Sequence, residues 1–432
     1  MRVLWVATKS PWPPRDGGRL VQHLTLEALV REGVEITVVA PVDAGEGEGS
    51  EKRGTATGEA ETGLAEMPAG VRFEPVSCPG GRWAGSGAFG RTLVRALSGE
   101  PWTVAAHRRR RVVARVAKLL EETSFDVVHA EQLQAWAQTS PARRRGLPVV
   151  LRAQNVESDL WRGMAELAAT GTVAARAFRW QSRRLERWEG HAGAQADVVV
   201  ALTELDRDRL EVLARQAGAD AGEVGEVSEV GEVVAIPAPF PSHLPVGEQR
   251  RVGDPPVMLL GSDGWPPNRD AESWLLRDLW PTVRRELPGA VLHVFGGNGE
   301  TGAGVARHPA PRNSREAFAP GSVLVVPLRL ASGVRMKILE AWARGIPVVA
   351  TPEAHRSLEI TPGRELLEMR DAGSLAAALK ELRVGGGTVE RLVRSGRERL
   401  AASHSPDRVV RELLETYRSA IRRKAQPVSD RL

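Results

Sequence analysis

The sequence predicts an α/β protein made of two doubly wound domains, and three observations carry that expectation. Short apolar runs rich in β-branched residues alternate with helical patterns along most of the chain, as βα units with a buried parallel sheet require. The alternation runs twice, with a Pro-rich aperiodic segment between the two series. The length of 432 residues exceeds what one hydrophobic core supports.

The first series of strands reads RVLWVAT, EITVVAP, FDVVHA, PVVLRA and DVVVALT. The second reads PVMLLG, AVLHVFG, SVLVVPL and IPVVAT. Residues 235–256 separate them, dense in Pro and polar groups and without strand or helix period. The expected domains are therefore 1–240 and 253–404. Residues 405–424 follow as an amphipathic helix that must pack on one of them, with Ser405 placed to cap it and Arg and Lys in its last turn to complement the helix dipole. Residues 44–63, rich in Gly, Glu and Thr, lack the apolar content to order themselves, and the Glu-Val stutter at 217–232 is a low-complexity expansion too brief to be a solenoid repeat, so both read as insertions.

A hydrophobic fraction of 42% and a charged fraction of 26% are those of an ordinary soluble globular protein, and no apolar run is long enough for a membrane span. A single cysteine, Cys78, excludes an internal disulfide framework and a cysteine zinc cluster. The opening MRVLWVATKSPWPP is too short and too Pro-rich for a signal peptide, so cytoplasmic residence is expected. Net charge is +5, and the run HRRRRVV invites comparison with polyanion-binding segments. Acidic residues are nearly as numerous and no aromatic residues interleave the run, so it reads as one cationic face of an amphipathic helix. A nucleic-acid partner is not expected; peripheral contact with an anionic membrane stays open.

Candidate chemistry lies at the strand-to-helix junctions. After the first strand, Gly17 and Gly18 precede a helix expected from about Arg19 or Leu20, whose unpaired N–H groups favour an anion. The second series opens similarly: Gly261 ends a strand, a Trp-Pro-Pro-Asn loop follows, and Asn268 is placed to cap the next helix with Glu272 in its first turn. Gly296, Gly297 and Gly299 end the next strand, where open α/β sheets bind ligands. In ASGVRMKILEAWARGIPVVAT, Ser332 and Gly333 lead into a helix expected from about Val334, so Arg335 and Lys337 add positive charge at its N-terminus, suited to a diphosphate. Glu340 is an odd anion there unless it accepts bonds from sugar or ribose hydroxyls. The plainer reading is a surface Lys337–Glu340 ion pair, which would not account for the buried-looking strands on both sides.

SGVRMKILEAWARGIPVVAT resembles the donor-binding segment of the retaining glycosyltransferases of family 4, which have the GT-B fold of two Rossmann-like domains facing across a cleft. PPRDGGRLVQHLTLEALVREGVEITVVAP, VLRAQNVESDLW and LLGSDGWPPNRDAESWLLRDLWP are similar to further segments of that family, so the likeness extends over nearly the whole chain. The resemblance implies transfer of a glycosyl group from a UDP- or GDP-linked sugar to an acceptor hydroxyl with retention, and with no metal or other cofactor. It implies Glu340 on the nucleotide ribose, Arg335 and Lys337 on the diphosphate, and the backbone from Ser332 through Gly333 to Val334 on phosphate or sugar. Gly261 and Asn268 join this donor set, while Gly17 and Gly18 meet the diphosphate from the N-terminal domain, which takes the acceptor. The resemblance also implies a final helix that crosses back to the N-terminal domain.

Two positions depart from the family pattern. Ser332 stands eight residues before Glu340, where a second glutamate is common, and Gln154 stands where many members carry His. Glutamine cannot titrate but can hydrogen-bond a donor sugar. These departures leave a competing reading as a catalytically inactive scaffold that binds nucleotide sugars. A second competitor, a GT-B nucleotide-sugar epimerase, would draw its acid and base from His129, Glu131, Glu157 and His23, His293, His308 and His355. The acceptor is not legible.

Overall fold

The uninterrupted apolar runs become the central strands of two all-parallel sheets. The structure, a computed structural model, describes residues 1–14, 16–42, 67–78, 99–169, 171–222, 231–261, 266–296, 302–311 and 314–425. The 44–63 stretch, Gly297 and Gly299 lie outside the described residues. The chain divides into two units, Met1–Ala238 with Asp407–Leu432, and Pro239–Pro406.

In the first unit the strands are β1 (Arg2–Val6), β2 (Glu35–Val42), β3 (Val71–Ser77), β4 (Val127–Glu131), β5 (Val149–Ala153), β6 (Val198–Ala201) and β7 (Glu232–Ala235). They lie in the order β3-β2-β1-β4-β5-β6-β7, every neighbouring pair parallel. The helices are α1 (Gly17–Arg31), α2 (Trp102–His107), α3 (Arg110–Glu122), α4 (Ser140–Arg144), α5 (Glu157–Leu167), α6 (Val173–Gln195) and α7 (Glu204–Gly222).

The second unit holds β8 (Pro256–Leu260), β9 (Val291–Phe295), β10 (Val305–His308), β11 (Val323–Val326), β12 (Val348–Ala350) and β13 (Leu367–Glu368), in the order β10-β9-β8-β11-β12-β13. Its helices are α8 (Pro266–Trp274), α9 (Trp280–Glu286), α10 (Met336–Ala343), α11 (Pro352–His355), α12 (Ala372–Val384) and α13 (Thr388–Ser403). Both sheets thus repeat one doubly wound order, with switch points between β1 and β4 and between β8 and β11. Ligands of such sheets bind outside the strand C-termini at those points.

Alternate residues of the first sheet face two separate cores. Leu4, Val128, Leu151 and Val199 meet α3 and Leu185 of α6 on one side. Val3, Trp5, Val38, Val127, Val150 and Val198 meet α1 and a last helix, α14 (Pro406–Ala425), on the other. Burial on both faces explains why these strands read as continuous apolar runs rather than alternating ones. The stripe Val409, Val410, Leu413, Leu414, Tyr417 and Ala420 fastens α14 to this sheet. The final helix therefore returns to the N-terminal unit.

Some elements differ from the sequence-based expectation. β3, β7, β10 and β13 escape it, and they are the four sheet edges. An edge strand is covered less, so it tolerates Pro75 and the charges of β3 and needs no apolar run. The Glu-Val stutter is also partly regular, since α7 extends to Gly222 and β7 begins at Glu232. The arginine run spans the end of α2 and the start of α3, which buries Val112, Val116 and Leu119 and keeps the expected amphipathic character. After Ala238 the Pro-rich segment is bonded to the second unit: Phe240 N donates to His404 O at 2.7 Å and Gly247 N to Phe318 O at 2.7 Å. Among the described residues no helix is long and apolar enough to cross a membrane.

Leu413 is 1% exposed at the centre of the α14 stripe. Leu413→Ala is expected to lower the unfolding free energy of the full chain by about 2–5 kcal/mol, measured by urea denaturation. A change near zero would mean that α14 is not packed as a core element.

Candidate functional site

At the switch point of the first sheet, α1 begins earlier than expected, at Gly17. The cause is Asp16, which takes extended backbone and accepts the Arg19 N–H at 2.9 Å, as an N-cap does. Lys9 Nζ holds the same carboxylate at 2.8 Å. Gly18 makes room for a neighbouring amide: a Cβ there would stand 2.7 Å from Gln154 Oε1 and 3.3 Å from Gln132 Nε2. Gln154, directly after β5, donates Nε2 to Gly18 O at 3.2 Å and to Glu131 Oε1 at 2.6 Å. Its Oε1 accepts Gln132 Nε2 at 3.0 Å, and Gln132 Oε1 accepts the Thr8 hydroxyl at 2.6 Å. Gly18 and Gln154 are thus brought together beyond the ends of β1, β4 and β5.

Behind this amide lies a buried polar network that the sequence reading did not foresee. Glu131 is 0% exposed, and Arg152 meets its Oε2 through Nε at 2.8 Å and Nη2 at 2.7 Å. His129 Nε2 reaches the same oxygen at 3.0 Å, so that nitrogen carries the proton. His129 Nδ1 then accepts from Tyr417 OH at 2.9 Å, which ties α14 into the network. Trp5 stacks on the imidazole with ring centroids 3.7 Å apart. Burial depresses His129 to about 4, so it is neutral. Burial alone would raise Glu131, but the Arg152 charge and the bonds from His129 and Arg152 outweigh it and hold the carboxyl below its ordinary range.

In the second unit the loop after β11 leads to α10, which begins at Met336, so Arg335 precedes the helix rather than lying within it. Gly333 takes φ +70°, a conformation that favours glycine, and its carbonyl accepts from Ser357 Oγ at 3.0 Å. Ser332 and Val334 flank it, half-buried, and Arg335 is buried. Lys337 reaches across the switch point to donate to Leu260 O at 2.9 Å, at the end of β8, and to Asn268 Oδ1 at 3.4 Å. Asn268 lies inside α8, which starts at Pro266, so it does not cap that helix as expected. Burial, helped by the Arg335 charge, brings the Lys337 ammonium down to about 8.

Glu340 pairs with Arg344, one turn on, and not with Lys337. Arg344 donates Nε at 3.0 Å and Nη2 at 2.8 Å, both to Oε1, which leaves Oε2 for another donor. Arg344 also bonds Pro245 O and Ser314 Oγ, so its guanidinium is fixed from three sides. The i, i+4 spacing of Glu340 and Arg344 was the available sequence signal. Gly261 N donates to Phe295 O at 3.0 Å, and a Cβ there would stand 3.4 Å from Glu272 Oε2. Glu272 itself is held by Arg307 at 2.7 Å.

The groups an epimerase would need are otherwise engaged. His23 Nδ1 accepts from Trp12 Nε1 at 3.0 Å, His293 and His308 contact each other at 2.9 Å, and His355 contacts Glu368 at 2.9 Å. Glu157 follows Gln154 closely in sequence and is raised by burial. Its neighbour Glu189 accepts the Glu157 and Ser158 N–H groups at the start of α5, at 2.6 and 3.2 Å. Burial, with the Glu157 charge adding to it, lifts Glu189 to about 8.

Two outcomes are expected. Arg152→Met leaves Glu131 buried without its cation and should cost about 3–5 kcal/mol in chemical denaturation; a neutral result would show that the carboxylate has another compensating group. Glu189 keeps its proton in the folded state up to about pH 8 while the unfolded carboxyl ionises near 4.5, so wild-type stability should fall across that window and level off above it. The stability of Glu189→Gln relative to wild type should accordingly improve as pH rises through the window. A difference independent of pH would refute the assignment.

Two family models match the chain: "Glycosyl transferase 4-like domain" over residues 16–224 and "Glycosyl transferases group 1" over residues 254–383. No curated protein sequence matches it. Sucrose-phosphate synthase from Thermosynechococcus elongatus superposes with a TM-score of 0.61 at 15% identity, over 98% of this chain and 100% of that one. HepE from Anabaena, in complex with UDP and glucose, gives 0.61 at 13% identity over 97% and 100%. A TarM mutant from S. aureus, in complex with fondaparinux, alpha-GlcNAc-glycerol and UDP, gives 0.64 at 9% identity over 96% and 100%. At such identities these structures speak to fold, and the family models speak to activity. The chain belongs to the glycosyltransferases of GT-B fold.

Proposed function

We propose that the protein is a retaining, metal-independent glycosyltransferase of family 4 that uses a nucleoside-diphosphate sugar, UDP-linked in the first instance. The observation that carries this reading is the cluster at the β8–β11 switch point. Lys337 is anchored on Leu260 O and Asn268, Arg335 adjoins it, and Glu340 has one oxygen committed to Arg344 and the other available. Two cations beside one half-engaged carboxylate suit a ligand with a diphosphate at one end and a ribose diol at the other. The UDP held by the HepE and TarM structures supports testing uridine nucleotides first.

On this reading Arg335 and Lys337 neutralise the diphosphate as the bond from the anomeric carbon to phosphate oxygen breaks. The acceptor hydroxyl oxygen forms the new bond on the same face, and its proton passes to the departing phosphate. Glu340 Oε2 accepts from a ribose hydroxyl, while the backbone around Gly333, with Ser332 and Val334, meets phosphate or sugar, and Gly261 gives the ligand room beside the end of β8. On the first unit we assign Gly17 and Gly18 to the diphosphate and the Gln154 amide to the donor sugar, and this unit receives the acceptor.

The test is transfer and donor hydrolysis with a panel of UDP- and GDP-sugars. Lys337→Ala and Glu340→Ala are each expected to cut turnover at least tenfold without unfolding the chain; unchanged turnover in both would overturn the donor assignment. Because Lys337 loses its proton near 8, UDP affinity measured by calorimetry should fall between about pH 7 and pH 9. That fall should vanish in Lys337→Met. Donor binding without turnover against every acceptor offered would favour the inactive-scaffold reading instead.

A further inference from the structure

We propose that the outer face of α6 is a docking surface for an anionic lipid bilayer. Val173, Arg176, Trp180, Arg183 and Arg187 recur along this helix at alternating three- and four-residue spacing, which puts them in one line. Arg179 and Arg184 flank that line, while Ala175, Gln181, Ser182, Leu185 and Glu189 bury the opposite side. The stripe runs about 21 Å along the helix axis. Its central part is an open surface formed by Arg176, Arg179, Trp180, Arg183, Arg184 and Arg187, with no acidic residue among them.

The charges on this face differ from the other arginines nearby. Arg162 and Arg209 of the first unit pair with Glu186, and Arg207 and Arg215 pair within α7. Arg176 and Arg179 bond only backbone carbonyls, of Gly171 and Ala175, and among the described residues neither they nor Arg183 and Arg187 meet a carboxylate. A line of like charges gives the fold nothing and repels itself, so an anionic partner supplies what the structure lacks.

The apolar groups identify that partner as a bilayer. Val173 is 81% exposed, Trp180 45% and Leu167, at the end of the preceding helix, 39%. Arginines beside an exposed Trp and aliphatic side chains are the composition of a helix lying at a lipid interface, where headgroup phosphates meet the cations and the apolar groups enter the acyl boundary. A free nucleotide would call for convergent donors instead of a flat stripe. A nucleic acid would leave Val173 and Leu167 without a role. The inference concerns a surface apart from the donor residues and does not rest on their assignment.

The experiment is co-sedimentation of the full-length protein with phosphatidylcholine vesicles, with and without phosphatidylglycerol. Wild type should bind only the anionic vesicles and be released by salt. Each arginine exchanged for glutamine should weaken partitioning by roughly fivefold, so Arg176→Gln, Arg183→Gln and Arg187→Gln together should weaken it about a hundredfold. Trp180→Ala should weaken binding with the salt dependence retained. Circular dichroism spectra and thermal unfolding midpoints unchanged from wild type report that the variants are folded. Failure of wild type to bind anionic vesicles, equal binding by the triple variant, or binding to duplex DNA with none to vesicles would overturn the proposal.

Discussion

Glu131 is fully buried at the C-terminal end of β4, where an ionised carboxylate is destabilised by several kcal/mol unless its oxygens are satisfied. Its partners come from across the first unit: Arg152 from β5, His129 from β4 and the Gln154 amide from the loop after β5. Each is fixed in turn. Arg152 donates to Thr25 on α1 at 2.8 Å, and His129 is held in one tautomer by Tyr417 on α14. Satisfying one buried charge therefore locks α1, β4, β5 and the returning C-terminal helix into one arrangement. The side chain at the edge of that arrangement is Gln154, beside the N-terminus of α1. A network of this kind is worth little as bulk stability but removes alternatives, because any loosened member strands a charge.

The second unit handles a carboxylate in the opposite way. Glu340 is also buried, but Arg344 satisfies one oxygen only, and Arg344 is braced by Pro245 and Ser314 so that it does not swing to take both. Lys337, which could have neutralised Glu340, is drawn away to the carbonyl at the end of β8. The result is a separated set of charges around one switch point, held apart by backbone and neighbouring side chains. Closed compensation in Glu131 builds a frame, and the compensation of Glu340 engages one oxygen alone.

How far the sequence discloses this depends on what each residue answers to. Strands buried on both faces are apolar along most of their length, with His129, Glu131 and Arg152 as mutually paired exceptions, so β1, β4, β5, β8 and β11 are legible as runs. The edge strands β3, β7, β10 and β13 answer to fewer neighbours and carry no comparable pattern. The start of α1 depended on Asp16, one short polar side chain before two glycines, which the glycines obscured. Glu340 stood out because an anion is odd beside Arg335 and Lys337; its bond to Arg344 was not foreseen, although Arg344 lies one turn on, while Lys337 turns to Leu260 O. The network joining Tyr417 to Gln154 spans sequence separations that no local pattern encodes.

The two departures from the family pattern gain meaning in this setting. Gly333 fixes the path of its loop through a positive φ and a carbonyl bonded to Ser357, so the loop is shaped at the residue after Ser332. Gln154 likewise sits on a frame that holds its amide through Glu131, Gln132 and Gly18. Its Nε2 is committed to Glu131 and Gly18, and its Oε1 accepts from Gln132. Both positions carry a hydrogen-bonding group on backbone that neighbouring residues already fix, so a change of side chain there leaves the fold as it is.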